Sequence, residues 1–355
     1  MKVLHIANIG KFGKISGIGV AVMQLAKAQR LMGVDSRICS VGYNKDYIDN
    51  NLVYYTTTYK AFNALLENLN PDLITINGIY EKEEILFAYS IWKHRIPYVI
   101  VYHGSASSDN AKKSWLKKKI ANFVFFNKII RRAYSVVYLN KNEYQKSVFK
   151  KTNPKYSVIP NGVEMPIFQN TPDGSSPINI VFMSRLDYYG KGLDVLFPVI
   201  RRLYKEGYGD KVHFNFYGNK YDDTINAINE FPEIATYKGF VAGEQKHEAF
   251  IESSINILPS RSEGMPVTIL DSLSYGKPCI VTKMTNMAEL IEEKRCGWVV
   301  ELTEESIYSV IIKAIEELSI EPNKYFENCR RAASDFSWDK IANQCINLYK
   351  EAINQ

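Results

Sequence analysis

The sequence predicts an α/β protein built from two doubly wound, Rossmann-like domains, each around a parallel sheet. The chain has 355 residues, which is long for one ordinary domain and right for two. Strand-like apolar runs alternate with amphipathic helical stretches along its whole length, the rhythm of βαβ units. A turn-rich stretch over residues 164–177 interrupts this rhythm, as a domain linker does.

The predicted strands fall into two series with helical stretches between them. The first series is VLHIANI (3–9), SRICSVGY (36–43), DLITING (72–78), PYVIVYHG (97–104) and SVVYLN (135–140). The second is INIVFMSRL (178–186), KVHFNFYG (211–218), ATYKGF (235–240), INILPS (255–260), KPCIVT (277–282) and GWVVEL (297–302). After the last predicted strand, the apolar residues of the tail at 337–353 recur at the spacing of an amphipathic helix. The predicted domains are residues 1–165 and 166–336, followed by a helix within 337–355.

Composition excludes several classes of protein. The chain is 46% hydrophobic and 23% charged, typical of a folded globular protein rather than a disordered one. Its first apolar run is soon broken by Gly10 and Gly13, which suits a strand and not a signal peptide, and no apolar run is long enough to span a membrane. The five cysteines are scattered without a C-x-x-C pair, so we expect reduced, buried thiols in a cytoplasmic protein.

Charge is divided unevenly along the chain. Residues 1–165 carry 24 Lys and Arg against 11 Asp and Glu, a net charge of +13, whereas residues 166–355 carry 20 against 27, a net charge of −7. We therefore expect the first half to face an anionic partner.

A small-residue loop, Ser16-Gly17-Ile18-Gly19, follows the first predicted strand and opens into a helix. Its backbone N–H groups and the helix dipole favour a phosphate or another anionic oxygen. The third glycine of a dinucleotide fingerprint is missing, because Val22 stands there, which argues against a dehydrogenase. A glycine turn without a ligand fits the same pattern.

Two cations follow the first strand of the second series. Arg185 stands at the end of the strand and Lys191 at the start of the next helix, so both side chains are placed to converge on one anion. A pyrophosphate fits that arrangement. A loop with two solvated cations is the alternative.

The most informative segment runs from Leu258 to Pro278. A strand end leads into a polar loop with Glu263 and Gly264, and a helix carries Asp271 about two turns in. Eight helical residues rise about 12 Å, so the two carboxylates are predicted to bind different parts of one extended ligand. Sugar and ribose hydroxyls are their natural partners. Taken alone, the segment is also explained by a structural alternative, in which Glu263 is a charge at the N-terminus of a helix and Asp271 is a solvated helix residue.

His103 ends a predicted strand beside Gly104. Ligands in doubly wound sheets bind at the carboxyl ends of strands, which favours a ligand contact for this histidine over a structural role.

Taken together and in this order, the motifs resemble the retaining glycosyltransferases of family 4. Their GT-B fold has two Rossmann-like domains facing each other across a cleft, with a final helix that packs back on the first domain. The resemblance covers nearly the whole chain. It rests on Ser16-Gly17, His103-Gly104, Ile159-Pro160-Asn161-Gly162-Val163, Arg185, Lys191-Gly192, Gly218, Gly239, Pro259-Ser260-x-x-Glu263-Gly264 and Trp338.

The resemblance implies a role for each site residue. Arg185 and Lys191 would hold the donor diphosphate and stabilise the leaving nucleotide, the role that other transferases give to a metal; the chain has no Asp-x-Asp motif, and we expect no metal or cofactor. Glu263 would bind sugar hydroxyls, and His103 the reacting sugar or the acceptor. The resemblance also implies donor-binding roles for Gly17, beside the diphosphate, and for Gly218. The segment Gly239, Phe240 and Val241 would pass the nucleobase, Gly264, Met265, Pro266 and Val267 would lie near the sugar and phosphate, and Asp271 would contact the ribose. Asp271 departs from the family pattern, which has a glutamate there.

The resemblance further implies transfer of a hexose from a UDP-sugar, in preference to a GDP-sugar, to a lipid-linked or growing glycan. The expected pathway is bacterial surface polysaccharide synthesis, such as that of capsule or lipopolysaccharide. A sugar-nucleotide epimerase of the same fold is one alternative. A non-catalytic, membrane-attached glycan-binding protein is another.

Residues 111–132 hold eight Lys and Arg and no acid. Trp115, Leu116, Ile120, Phe123 and Val124 form an apolar stripe in this segment, which favours a helix lying on an anionic membrane surface. In the alternative, the stripe packs onto the first domain and the lysines are only solvated. Nucleic acid is not an expected partner, because no recognised binding module accompanies the charge.

Overall fold

The computed structural model describes residues 1–11, 14–42, 52–105, 119–167, 177–219 and 221–355. The chain forms two compact units: unit 1 comprises Met1–Gly162 and Trp338–Gln355, and unit 2 comprises Val163–Ser337. The division lies three residues before the boundary predicted at residue 165.

Strands and helices alternate in both units. In chain order the strands are β1 Lys2–Ala7, β2 Gly10–Lys11, β3 Lys14–Ile15, β4 Asp35–Ser40, β5 Val53–Tyr55, β6 Leu73–Asn77, β7 Tyr98–Val101, β8 Ser135–Tyr138, β9 Tyr156–Val158, β10 Ile178–Met183, β11 Val212–Tyr217, β12 Ala235–Gly239, β13 Ile255–Leu258, β14 Cys279–Thr282 and β15 Gly297–Val300. The α-helices are α1 Gly17–Leu31, α2 Tyr59–Leu69, α3 Lys82–Lys93, α4 Asn127–Arg132, α5 Lys141–Lys146, α6 Leu193–Lys205, α7 Asp222–Asn229, α8 Glu244–Glu252, α9 Val267–Ser274, α10 Ala288–Lys294, α11 Glu304–Ile320, α12 Phe326–Ser334 and α13 Trp338–Ile353. A π-helical turn, Asn122–Phe126, leads into α4, and a short 3₁₀ turn, Lys283–Thr285, follows β14.

The described part of unit 1 contains a seven-stranded sheet in the order β5-β4-β1-β6-β7-β8-β9, with every neighbouring pair parallel. Five of the six residues of β1 are buried, as expected for a central parallel strand covered on both faces. The strand order reverses between β1 and β6. Ligands of doubly wound sheets bind at such a point, beyond the carboxyl ends of the strands.

The C-terminal helix α13 belongs to unit 1. Ile341, Cys345 and Tyr349 on its apolar side pack against Val3 of β1 and Leu73 of β6, at the periodicity that the sequence predicted. The prediction that the final helix packs back on the first domain is therefore confirmed.

The described part of unit 2 contains a six-stranded parallel sheet in the order β12-β11-β10-β13-β14-β15. Its order reverses between β10 and β13, which are paired neighbours. The loops that follow these two strands carry Arg185 and Glu263, so the fold brings the two sequence motifs to one switch point. The predicted fold class is confirmed for both units.

The structure bears on two further predictions, those about the cysteines and about membrane-spanning helices. All five cysteines are buried and unbridged, as expected. Within the described ranges, no helix combines the length and the apolar character that a membrane span requires.

Candidate active site

An ion pair joins the loop after β10 to the loop after β13. Lys191 Nζ pairs with Glu263 Oε1, and Ser260 Oγ donates a hydrogen bond to the same oxygen at 2.7 Å. The two side chains are only 9% and 14% exposed, so this interaction is weakly screened by water. The residue predicted to hold the diphosphate and the residue predicted to bind sugar hydroxyls are thus in direct contact.

Arg185 lies two residues beyond the end of β10 and is exposed. Its guanidinium makes no hydrogen bond or ion pair with any residue in the described ranges of the chain. Five N–H donors in a planar fork are therefore available to an anion. One cation of the motif is paired with a carboxylate, and the other is open.

The loop that carries the two cations is held by neighbouring side chains. Asp187 Oδ1 accepts a hydrogen bond from Gly190 N at 3.0 Å. Arg261 donates two hydrogen bonds, of 2.6 and 2.8 Å, to the carboxylate of Asp194. Its guanidinium also lies 3.8 Å from the centre of the Tyr189 ring. The loop is therefore rigidly placed beside the 259–263 segment.

Gly192 ends this loop with φ +69°, and a Cβ built on it would lie 2.1 Å from the carbonyl oxygen of Pro259. Only glycine allows such a close approach of the two loops. Sequence reasoning used Lys191-Gly192 as part of the family pattern but missed the supporting residues Asp187 and Arg261. Asp187 had a sequence signal, its place between the two cations, whereas Arg261 had none, because its partner is 67 positions away.

The segment from Glu263 to Asp271 is less helical than predicted. Helix α9 begins at Val267, with Pro266 as its N-cap residue, so Asp271 is the fifth helical residue. The pyrrolidine ring of a proline disfavours helical geometry in the residue before it, here Met265, and this keeps the first half of the segment a loop. The estimate of a 12 Å helical rise between the two carboxylates is therefore wrong.

The loop at Glu263 and Gly264 is tied down through its backbone. Asn286 Nδ2 donates to the Glu263 carbonyl at 2.6 Å and to the Gly264 carbonyl at 3.1 Å, and Glu263 N donates to Met284 O at 3.2 Å. The positions predicted to bind the donor, Gly264 to Val267, thus lie on a supported loop that ends at the N-terminus of α9.

Asp271 forms an ion pair with Lys246, a residue of the first turn of α8 that sequence reasoning did not single out. Burial raises the pKa of Asp271, and the positive charge of Lys246 acts in the opposite direction. The predicted ribose-binding carboxylate therefore has a cationic partner.

The loops after β11 and β12 are packed closely against the loop that carries Arg185. Gly218 N donates to Gly239 O at 2.9 Å, and a Cβ on Gly218 would lie 2.0 Å from the Ser184 carbonyl oxygen. Gly239 has φ +86°, which favours glycine. Phe240 is 59% exposed, whereas Val241 packs against the small core cluster that includes Phe250.

Replacing Gly218 by alanine is expected to displace the Ser184–Arg185 backbone, because the new methyl group meets a carbonyl oxygen. Overpacking of this kind costs roughly 1–3 kcal/mol of unfolding free energy. Urea unfolding of Gly218→Ala should show this loss, while Gly209→Ala, where an added Cβ has nothing within 4 Å, serves as the control. Equal midpoints for both variants would contradict the close-contact argument.

His103 lies in unit 1, just beyond β7, and is held in one protonation state. Asn77 Nδ2 donates to Ile6 O at 3.2 Å and to Thr75 Oγ1 at 2.9 Å, which leaves Asn77 Oδ1 to accept from His103 Nε2 at 3.1 Å. Burial lowers the His103 pKa to about 4. At neutral pH the imidazole is uncharged with its proton on Nε2, so Nδ1, which has no partner among the described residues, can accept a hydrogen bond.

The backbone around His103 is strained and braced. His103 has φ +48° and Gly104 φ +79°, and left-handed geometry is unusual for a histidine. The buried carboxylate of Glu143 accepts hydrogen bonds from Gly104 N and Leu139 N, each at 2.5 Å. Sequence reasoning found His103 but missed Glu143, whose signal was the Asn140-x-x-Glu143 pattern of a helix start.

Gly17 is the first residue of α1, and Ser16 caps the helix by accepting from Gly19 N at 2.9 Å. A Cβ on Gly19 would lie 2.5 Å from Ile9 O, whereas one on Gly17 would have nothing within 4 Å. Gly19 is therefore required for packing and Gly17 is open to a ligand. Gly17 and His103 belong to unit 1, and the other predicted site residues belong to unit 2.

The basic segment at 111–132 is described only from residue 119, so Trp115 and Leu116 lie outside the described residues. Residues 119–132 are helical. Ile120, Phe123 and Val124 are 59%, 85% and 50% exposed. Phe126, Ile129 and Ile130 of the same segment are buried in the core of unit 1. For the three described residues of the stripe, the alternative of packing onto unit 1 is wrong.

In the part of the chain that the structure describes, no group of three or more His, Cys, Asp or Glu side chains is placed to hold a metal ion.

Two family models match the chain. Residues 15–165 match the model described as Glycosyltransferase Family 4, and residues 177–317 match the one described as Glycosyl transferases group 1. Together they cover most of both units.

The chain is also similar to individual proteins and to solved structures. An uncharacterized glycosyltransferase of Methanocaldococcus jannaschii, MJ1178, is 22% identical over 95% of both chains. An uncharacterized 41.2 kDa protein in the cps region of Klebsiella pneumoniae is 27% identical over 49% of this chain, and the match spans less than half of that relative, 46% of its length. The structure of Anabaena HepE in complex with UDP-glucose superposes with a TM-score of 0.78 at 17% identity, covering 99% of this chain and 100% of that one.

Proposed function

The chain belongs to the group 1 glycosyltransferases of family 4, and on that premise we propose that it transfers a hexose from a nucleotide-sugar donor to a glycan or lipid-linked acceptor. The observation that carries the proposal is the site at the switch point of unit 2. There, the exposed Arg185 and the Lys191–Glu263 ion pair lie on the adjoining loops after β10 and β13.

Each group of that site suits one part of the donor. The fork of Arg185 would bind the diphosphate, with Lys191 beside it, and the two cations would stabilise the charge that develops on the leaving nucleotide. This proposed electrostatic role needs no metal ion. Glu263 would exchange part of its contact with Lys191 for sugar hydroxyls, and His103, with its free Nδ1, would accept a hydrogen bond from the reacting sugar or the acceptor.

We propose a UDP-sugar as the donor in preference to a GDP-sugar. The support is the UDP-glucose bound in the solved structure of HepE. The reaction is proposed to retain the anomeric configuration, with the leaving phosphate taking the acceptor's proton as the new glycosidic bond forms. No protein nucleophile is assigned in this scheme.

For the acceptor we propose a lipid-linked or growing glycan of a bacterial surface polysaccharide, such as a capsule or lipopolysaccharide. The cps-region relative supports the pathway class. The +13 charge of residues 1–165 and the exposed Ile120, Phe123 and Val124 support attachment of unit 1 to an anionic membrane surface. The cytoplasmic face of the cell membrane is the corresponding location.

Replacing Phe123 and Val124 together by serine is expected to weaken binding to anionic vesicles by about tenfold, because both side chains would lose apolar area in the lipid interface. Vesicle sedimentation at low and high salt measures this, with neutral vesicles for comparison. Ile320→Ser is the control, since Ile320 is 86% exposed but lies in unit 2. Equal binding to anionic and neutral vesicles, or no binding to either, would contradict the membrane proposal.

The proposed activity is tested by incubating the purified protein with UDP- and GDP-sugars, with and without lipid-diphosphate-linked acceptors. We expect nucleotide release only with an acceptor, and a glycosylated acceptor as product. An epimerised sugar nucleotide formed without acceptor would identify an epimerase instead. No nucleotide binding at all would favour the non-catalytic alternative.

A further inference from the structure

The residue that pairs with Asp271 points to a further recognition group. Lys246 lies in the first turn of α8, the positive end of a helix dipole, where a cation is disfavoured. A lysine at this position therefore gains little from its own helix. Its ion pair with Asp271 gives it a partner on another element, α9.

The position of Lys246 relates it to the nucleotide end of the site. Helix α8 follows β12 and the segment from Gly239 to Val241, which is the stretch assigned to the nucleobase. Helix α9 begins directly after the Glu263 loop. The Lys246–Asp271 pair thus connects the nucleobase segment to the helix that carries the expected ribose carboxylate.

Both members of the pair keep hydrogen-bonding capacity. The ion pair uses one carboxylate oxygen, Asp271 Oδ2, and one of the three donors of the ammonium group. The Lys246 side chain is 29% exposed and that of Asp271 14%, so a ligand has access to both. Asp271 Oδ1 is suited to accept from a ribose hydroxyl, and Lys246 to donate to a ribose oxygen or to the adjoining phosphate.

From these contacts we infer that Lys246 is a nucleotide-binding residue, which acts with Asp271 as one unit that recognises the ribose of the donor. The inference rests on the proposed function and assigns a residue to it. Aspartate is one methylene shorter than the glutamate of the family pattern, and the long side chain of Lys246 compensates for the lost reach. The positive charge of Lys246 also opposes the rise in the pKa of Asp271 that burial causes, and so favours the ionised carboxylate, which accepts hydrogen bonds.

The test measures the dissociation constants of UDP and 2′-deoxy-UDP for the full-length wild type and for Lys246→Met. Hydrogen bonds to charged groups are worth about 1.5–3 kcal/mol, so we expect Lys246→Met to bind UDP roughly tenfold or more weakly. It should also lose most of the wild-type preference for UDP over the deoxy analogue. Lys294→Met is the matched control, because Lys294 forms an ion pair with Asp335 in the same unit. This variant is expected to leave the dissociation constants of UDP and 2′-deoxy-UDP unchanged.

A double variant distinguishes a role of Lys246 in binding the nucleotide from a role in folding. If Lys246 compensates for the short carboxylate, the double variant Lys246→Met/Asp271→Glu should bind UDP more tightly than Lys246→Met alone. UDP affinity and ribose preference of Lys246→Met equal to wild type would overturn the inference and leave the proposed function standing. A wild-type protein that binds neither UDP nor GDP would overturn both.

Discussion

Replacing Arg185 by alanine should lower kcat for transfer by about 10²–10³-fold and leave the free energy of unfolding unchanged. Removing one preorganised donor from a site where negative charge develops typically costs this much. The stability is expected to hold because the side chain is exposed and has no partner in the described part of the chain. Initial-rate kinetics with a saturating acceptor and urea unfolding measure the two quantities.

Arg201→Ala is the matched control for this prediction. Arg201 is an exposed arginine of the same unit, paired with Glu230 on the surface at 2.9 Å, and its loss changes the net charge equally. Its kinetics should match wild type. A similar loss of rate in both variants would mean that overall charge, and not a specific contact of Arg185, supports the reaction.

Replacing Lys191 by methionine should destabilise the protein by roughly 3–5 kcal/mol, in addition to abolishing transfer. The reason is that Glu263, which is only 14% exposed, would lose the cation that pairs with it in a site poorly accessible to water. Chemical denaturation gives the loss of unfolding free energy directly.

The double variant Lys191→Met/Glu263→Gln separates the structural role of the pair from its role in binding. With the buried charge removed, most of the lost stability should return, because replacing both partners of a buried ion pair is often nearly neutral. Nucleotide-sugar affinity should not return. A double variant as unstable as Lys191→Met would show that the two charges do not interact in the way described.

The fold could be predicted almost completely from the sequence because its signals are local. Apolar runs such as INIVFM at 178–183 and helical periodicity such as that of the C-terminal tail are read within one segment, and each became the expected strand or helix. The short strands β5 and β9 were not predicted, because their residues are only partly buried and carry little apolar pattern.

The site was predicted in part, and what was missed depends on contacts between distant residues. Arg185, Lys191 and Glu263 follow strands, and the rule that parallel strands end at one edge was enough to place them together. Lys246 and Arg261 act through partners 25 and 67 positions away, and nothing in their own segments predicts those partners. Glu143 stands in a recognisable helix start, but its hydrogen bond from Gly104 spans 39 positions and could not be predicted from that pattern. The error at the start of α9 was local: Pro266 was a readable signal that the helix begins after it.

The most direct test of the central claim, a diphosphate-binding pair of cations at the switch point of unit 2, is calorimetric titration of the wild type and Arg185→Ala with UDP and with UMP. UDP and UMP differ by one phosphate, so the difference in their affinities reports on the contact in question. We predict that the wild type binds UDP at least tenfold more tightly than UMP, and that Arg185→Ala loses most of this difference while still binding UMP. Equal affinities of the wild type for UDP and UMP, or an unchanged preference in Arg185→Ala, would contradict the claim.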